Sequence, residues 1–100
     1  RVNSVRPFDK ARICKTETID SATKESKTFS KEVMTATSKF LRLDFGETSP
    51  EDIIVNNDAL KYKDRILAVY ETTKGKIWIM AESENKVEYT VITILFPIDN

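Results

Sequence analysis

Three segments in the last third of the chain constrain the fold most, because each is rich in β-branched and aromatic residues, which favour pleated strands. The segments are residues 65–72, 76–82 and 87–96. The linkers between them, residues 73–75 and 83–86, have the length of hairpin loops, and Gly75 and Asn85 tolerate positive φ. The pattern predicts a three-stranded antiparallel β-meander.

Two helices are predicted upstream of these strands. Ser49 supplies an N-cap hydroxyl, Pro50 suits the first helical position, and Asp52 closes a capping box. The polar residues 56–58 predict that this helix ends within about two turns. A second helix over roughly 28–42 is indicated by apolar residues at helical spacing. They are Phe29, Val33, Ala36, Phe40 and Leu41.

The N-terminal stretch admits two interpretations. A short helix from Pro7 through Cys14 is favoured, and a strand over residues 11–19 is the alternative. With helices first and strands last, the expected fold class is α+β, in which N-terminal helices pack on a C-terminal antiparallel β-meander of three or more strands. The length of 100 residues predicts a single domain, mainly helical over 1–60 and a meander over 61–100.

The hairpin linkers also predict which side chains share a face of the sheet, because side chains alternate along a strand. Pairing Thr72 with Lys76 places Tyr70 opposite Trp78, and pairing Glu82 with Val87 continues the register. An aliphatic face is then expected to hold the helices. It comprises Leu67, Val69, Ile77, Ile79, Ala81, Ile92 and Ile94. The expected second face is mixed: Ile66, Tyr70, Lys76, Trp78, Met80, Glu82, Tyr89, Val91, Thr93 and Leu95.

The mixed face has two interpretations. Its aromatic rings could form a half-open cleft on which nucleic-acid bases stack, each stack contributing ~1–3 kcal/mol. Alternatively, it is a second core layer that leaves only the polar tips of Tyr and Trp at its edge.

Composition excludes several classes of chemistry. The chain has no histidine, one cysteine and two glycines. The absence of histidine excludes His-dependent triads and H-E-x-x-H zinc sites, and a single cysteine excludes an internal disulfide. No apolar run approaches the ~18 residues that span a bilayer. We therefore expect no metal, no cofactor and no membrane association, and a reduced, partly buried Cys14.

Cleavage of RNA is a reaction that suits the remaining residue types. The substrate's own 2′-hydroxyl attacks the phosphate, so the protein need only position the strand, neutralise the phosphate and assist proton transfer. We predict Lys76 as the phosphate cation, Thr93 as a hydrogen-bond donor to a phosphate oxygen, and Tyr70 as a group that exchanges protons. Trp78 offers a ring on which a base stacks.

The charge distribution is uneven although the net charge is zero. Residues 1–40 carry nine basic and five acidic groups, whereas residues 41–100 carry seven basic and eleven acidic groups. The basic half could steer a phosphate backbone. We predict that RNA is guided by five cations, with an ordinary solvated surface as the alternative. These cations are Lys10, Arg12, Lys15, Lys61 and Lys63.

Four segments resemble a superfamily of toxins that groups barnase, EndoU, the tRNA-cleaving colicins and RelE. The segments are residues 49–54 (SPEDII), 68–71 (AVYE), 75–79 (GKIWI) and 89–93 (YTVIT). The resemblance implies an α+β, metal-independent ribonuclease acting on tRNA or another RNA in bacterial competition. It further implies a cognate immunity protein, help from a translation elongation factor, and delivery as part of a larger secreted or cell-surface protein into the cytoplasm of a target cell.

A second function class stays open on the same sequence. The neutral net charge and the eleven acidic groups after residue 40 favour a non-catalytic protein-binding module, such as an immunity or adaptor protein.

Overall fold

Three α-helices and four strands make up residues 7–100, the part of the chain that the structure, a computed structural model, describes. The helices are α1 (Glu17–Glu25), α2 (Lys27–Leu41) and α3 (Pro50–Tyr62). The strands are β1 (Arg12–Lys15), β2 (Ile66–Thr72), β3 (Gly75–Glu82) and β4 (Val91–Leu95), followed by a 3-10 turn at Pro97–Asp99.

The four strands form one mixed sheet in the order β1-β4-β3-β2. β2, β3 and β4 pair antiparallel, whereas β1 pairs parallel to β4. The predicted α+β class is confirmed, but the purely antiparallel sheet of C-terminal strands is wrong, because a strand from the N-terminal region completes it. The helix favoured between Pro7 and Cys14 is also wrong: residues 7–10 form a turn, and the chain then extends alongside β4.

Side-chain caps set the starts of the three helices. The hydroxyls of Thr16, Ser26 and Ser49 accept hydrogen bonds from the third backbone N–H that follows, at 3.4, 3.1 and 3.3 Å. The amphipathic stripe predicted over 28–42 is confirmed by α2, which buries Phe29, Val33, Ala36 and Phe40. Its last member, Leu41, instead remains 40% exposed.

α3 runs one turn beyond its predicted end because Asn56 does not stop the helix. Asn56 is buried, and its Nδ2 donates to the Leu67 carbonyl at 2.8 Å while its Oδ1 accepts from the Leu67 N–H at 3.3 Å. The side chain thus satisfies its amide on the strand rather than competing with the helix backbone. The helix ends at Lys63, whose backbone is left-handed with φ of 57°.

The segment before α3 completes the outer edge of β2. The Glu47 N–H donates to the Val69 carbonyl at 2.8 Å, and the Val69 N–H donates to Thr48 Oγ1 at 3.0 Å. Gly46 lies against the Tyr70 ring with φ of 61°, where a Cβ would come within 2.5 Å of that ring. The backbone groups of Leu67 and Val69 that face away from β3 are therefore all paired, and the edge is closed at these two residues.

The helices bury one face of the sheet, called here the inner face. It comprises Ile66, Ala68, Tyr70, Ile77, Ile79, Ala81, Ile92 and Ile94, which belong to one core cluster with the buried helix residues. Between the helices and this face, Phe8 stacks on Phe40 at 5.0 Å between ring centroids and meets Tyr89 at 5.2 Å. Phe45 meets Phe40 edge-on at 5.9 Å.

We expect Asn56→Ala to lower the free energy of unfolding by about 2 kcal/mol, since it leaves the Leu67 N–H and C=O without partners at a covered edge. Urea unfolding measures the loss. The adjacent Asn57→Ala is the control, because Asn57 is exposed and should change stability by less than ~0.5 kcal/mol. Equal effects of the two substitutions would contradict this role of Asn56.

Candidate binding surface

The strand register differs by one residue from the predicted hairpin. Thr72 pairs with Gly75, so Tyr70 lies opposite Ile77 instead of Trp78. A two-residue loop replaces the expected three-residue one, and the Thr72 hydroxyl holds it by donating to the Gly75 carbonyl at 2.6 Å. Compared with the predicted register, this one-residue difference places every residue of β2 on the opposite face of the sheet.

The second predicted hairpin is also wrong. Glu82 pairs with Val91 rather than Val87, and residues 83–90 form a loop. The Ser83 hydroxyl donates to the Glu88 carbonyl at 2.6 Å, and the Asn85 side chain accepts from the Val87 and Glu88 N–H groups. Local side-chain bonds therefore hold this segment as a loop although its sequence favours strand.

The side of the sheet turned away from the helices is called here the outer face. Its centre consists of Cys14, Leu67, Val69, Trp78, Met80, Thr93 and Leu95. Leu95 is buried and the other six are half-buried, and all seven lie outside the core cluster. Outward positions of a sheet covered on one side are usually polar, so this apolar surface is typical of an interaction site.

Charged groups flank this apolar centre at both ends. At one end, Val91 of β4 is flanked by Arg12 of β1 on one side and by Glu82 of β3 on the other. At the other end, Lys76 Nζ lies 3.8 Å from a Glu71 carboxylate oxygen. The Cys14 side chain, foremost, and the nearby charge of Glu84 raise the pKa of the Arg12 guanidinium. The rim thus presents both signs of charge.

The predicted catalytic residues do not converge. Lys76 and Thr93 share the outer face, but Thr93 pairs with Met80, four residues from Lys76 along β3. At ~3.3 Å per residue, about 13 Å of strand separates them. Tyr70 lies on the inner face, buried behind the sheet. Their assignment to catalysis stays a prediction that this geometry does not favour.

Both tyrosines that the sequence placed on the mixed face are held in structural hydrogen bonds. The Tyr70 hydroxyl donates to the Asp44 carbonyl at 2.6 Å. The Tyr89 hydroxyl lies 2.8 Å from the Asp64 carbonyl and 3.2 Å from that of Ala59. Burial, with the nearby Asp64 charge, raises the pKa of Tyr89 to about 12, and burial beside Asp44 raises the pKa of Tyr70 further. Such hydroxyls are poor proton shuttles near neutral pH.

The residues predicted to guide RNA are divided between the two edges of the sheet. Lys10, Arg12 and Lys15 lie at β1, whereas Lys61 and Lys63 end α3 beside β2. Three strand spacings of ~4.8 Å separate these edges. Lys15 lies 3.6 Å from Asp20, and Lys63 Nζ donates to the Leu60 carbonyl at 2.8 Å. Of the predicted RNA-binding residues, only Arg12 and Trp78 belong to the outer face.

Sequence reasoning missed three residues of this surface. Leu67 and Val69 were assigned to the helix-bearing face, and Cys14 was assigned to a helix. The signal that could have placed the first two is the Thr73-Lys74 pair before Gly75, since two-residue hairpin loops are the commonest kind and Gly75 has φ of 96°.

Comparison with protein-family models, with curated proteins and with solved structures gave no match. Within residues 7–100, no helix has both the length and the apolar character to cross a membrane. The same residues contain no group of three or more His, Cys, Asp or Glu side chains placed to hold a metal ion.

Alkaline pH tests whether the Tyr89 hydroxyl is locked in the fold. Its pKa is raised from 10.0 to about 12, so the unfolded chain ionises first. The stabilisation that results from this difference in pKa between the folded and unfolded chain is present below about pH 10 and is lost as the pH rises towards 12. We expect urea-derived stability to fall less steeply over this range in Tyr89→Phe than in the wild type. Parallel curves would show that Tyr89 titrates alike in both states.

Proposed function

We propose that this protein is a non-catalytic protein-binding module that docks a partner protein on its outer face. The observation that carries the proposal is the apolar centre of that face, which lies outside the core although the strands beneath it are well packed. A row of Val69, Trp78 and Leu95 adjoins a row of Leu67, Met80 and Thr93. Covering such a surface releases ordered water and favours association.

The rim charges support a protein partner over a nucleic acid. RNA-binding sheets present several aromatic rings with a surplus of cations, whereas the four described strands of this face contribute one ring, that of Trp78. Arg12 and Glu82, of opposite charge, lie on the two sides of Val91, and Lys76 Nζ lies 3.8 Å from a Glu71 carboxylate oxygen. A partner with an apolar patch and mixed charges around it would complement this surface, whereas a phosphate backbone would meet as many anions as cations.

Trp78 is the expected anchor of the interface. Tryptophan is enriched among the few residues that dominate binding energy, and such residues lie near the centre of the buried patch. Trp78 lies between Val69 and Leu95 in the middle of the sheet, and Arg65 contributes a guanidinium 3.7 Å from the neighbouring Met80 sulfur. The polarizable Met80 side chain adapts readily to a partner surface.

A ribonuclease toxin is the second candidate function. Four residues of the predicted RNA site, namely Arg12, Lys76, Trp78 and Thr93, do share the outer face. On this hypothesis the face would hold an RNA, tRNA in particular, and an immunity protein would cover it. Help from an elongation factor and delivery into a target cell remain part of the same hypothesis.

Induced expression in bacterial cytoplasm separates the two functions. We expect normal growth and intact tRNA and rRNA, because no cation, proton shuttle and phosphate-holding group converge on the outer face. Growth arrest with RNA cleavage, abolished by Lys76→Ala or Thr93→Val in folded protein, would overturn the binding-module proposal and establish the ribonuclease.

Site-specific photo-crosslinking tests the surface itself. A photoreactive residue at Met80 should link one discrete protein in cells that naturally express the chain, and Trp78→Ala should weaken that complex about 30-fold, the effect of losing ~2 kcal/mol. The matched control is a photoreactive residue at Ile54, which is 65% exposed on α3. Equal crosslinking from both positions, or a product that is a second copy of this chain, would contradict the proposal.

A further inference from the structure

The two edges of the sheet differ in whether their outward backbone N–H and C=O groups are hydrogen-bonded. At β2, Asn56 and Thr48 side chains and the Glu47 N–H occupy the outward backbone groups. Beside β4, the Arg12 N–H donates to the carbonyl of Thr90, the residue before β4, and the Thr16 N–H donates to the Ile94 carbonyl, each at 3.0 Å. Backbone groups alternate in direction along a strand, so those of Ile13 and Lys15 point away from the sheet. Within residues 7–100, no donor or acceptor is hydrogen-bonded to the outward N–H and C=O of Ile13.

An apolar groove runs beside this open edge, between β1 and α2. Ile13, Met34 and Leu41 line it and are 47%, 68% and 40% exposed. The groove has a volume of about 340 Å³ and continues, past Ile13 and Leu41, into a second hollow of about 620 Å³ that Leu43 also lines. An open strand edge beside exposed apolar side chains favours strand addition, and charged residues on a short edge strand restrict it to a peptide of opposite charge.

Three cationic side chains lie near the same edge, with Glu84 as an acidic neighbour of Arg12. Arg12 is exposed on one side of β1, Lys15 lies on the other, and Arg42 lines the far end of the groove. Among the described residues that line the groove, Asp9 is the one acidic side chain. Lys15 already lies 3.6 Å from Asp20, but Arg12 has no salt-bridge partner within the described chain.

We propose that β1 accepts an extended peptide with alternating apolar and acidic residues, which adds to the sheet as a fifth strand. Its backbone pairs with the outward N–H and C=O groups of Ile13. Because side chains alternate across a strand, the apolar ones enter the groove at Met34 and Leu41. The acidic ones reach the side of the sheet on which Arg12 lies. This site is separate from the apolar centre of the outer face and does not depend on the function proposed for it.

A peptide of alternating Val and Glu, labelled with fluorescein and measured by anisotropy, is the probe. We expect saturable binding that is at least tenfold tighter than that of a Val and Lys peptide. Ile13→Pro should weaken binding at least tenfold, because proline removes the outward N–H without breaking a bond to β4. Ile13→Ala separates loss of the side chain from loss of the N–H, and should weaken binding less.

Reversing the charge of Arg12 tests the preference for acidic peptides independently. Arg12→Glu should reverse the preference from the Glu peptide to the Lys peptide, whereas Arg65→Glu, beside β2 at the closed edge, should leave it unchanged. Circular dichroism confirms that each variant is folded. The proposal is overturned if Ile13→Pro binds as tightly as Ile13→Ala, or if the wild type shows no saturable binding. A concentration-dependent dimer that Ile13→Pro abolishes would make the occupant a second copy, which also overturns it.

Discussion

The Asn56 side chain, paired with both backbone groups of Leu67, is the interaction on which the rest of the structure depends. It joins α3 to β2 and, with Thr48 and Glu47, pairs the outward backbone groups of Leu67 and Val69 at that edge. A buried amide bonded on both sides specifies one register, because any shift would leave it unpaired. The helices then cover the inner face, and growth of the sheet or docking of a partner is left to the outer face and to β1.

The outer face and the open edge suit different partners. The outer face is broad, apolar at its centre and charge-balanced at its rim, which suits a folded protein surface anchored by Trp78. The β1 edge is narrow and offers backbone groups next to a groove, which suits an extended segment. Arg12 lies where these surfaces adjoin, at the rim of the outer face and on the open edge.

Local signals in the sequence predicted the local structure. The cap at Ser49 and the apolar stripe from Phe29 to Phe40 indicated two helices, since capping and helical periodicity involve only neighbouring residues. The parallel pairing of β1 with β4 joins segments about eighty residues apart, and no local pattern records it. The site depended on a hairpin register, and a loop one residue shorter at Thr72 sent Tyr70 to the core and Leu67 outward. Asn56 is of a residue type that often ends helices, but its side chain is hydrogen-bonded to Leu67 of β2 and the helix continues.

Backbone amide hydrogen exchange, followed residue by residue by NMR, tests the central claim that one edge is closed and the other open. The N–H groups of Leu67 and Val69 face away from the sheet but are bonded to Asn56 and Thr48. The account predicts that they exchange as slowly as amides within the β3–β4 ladder, and that the Ile13 amide exchanges at least a hundredfold faster. Rapid exchange at Leu67 and Val69, or protection of Ile13 equal to theirs, would contradict it.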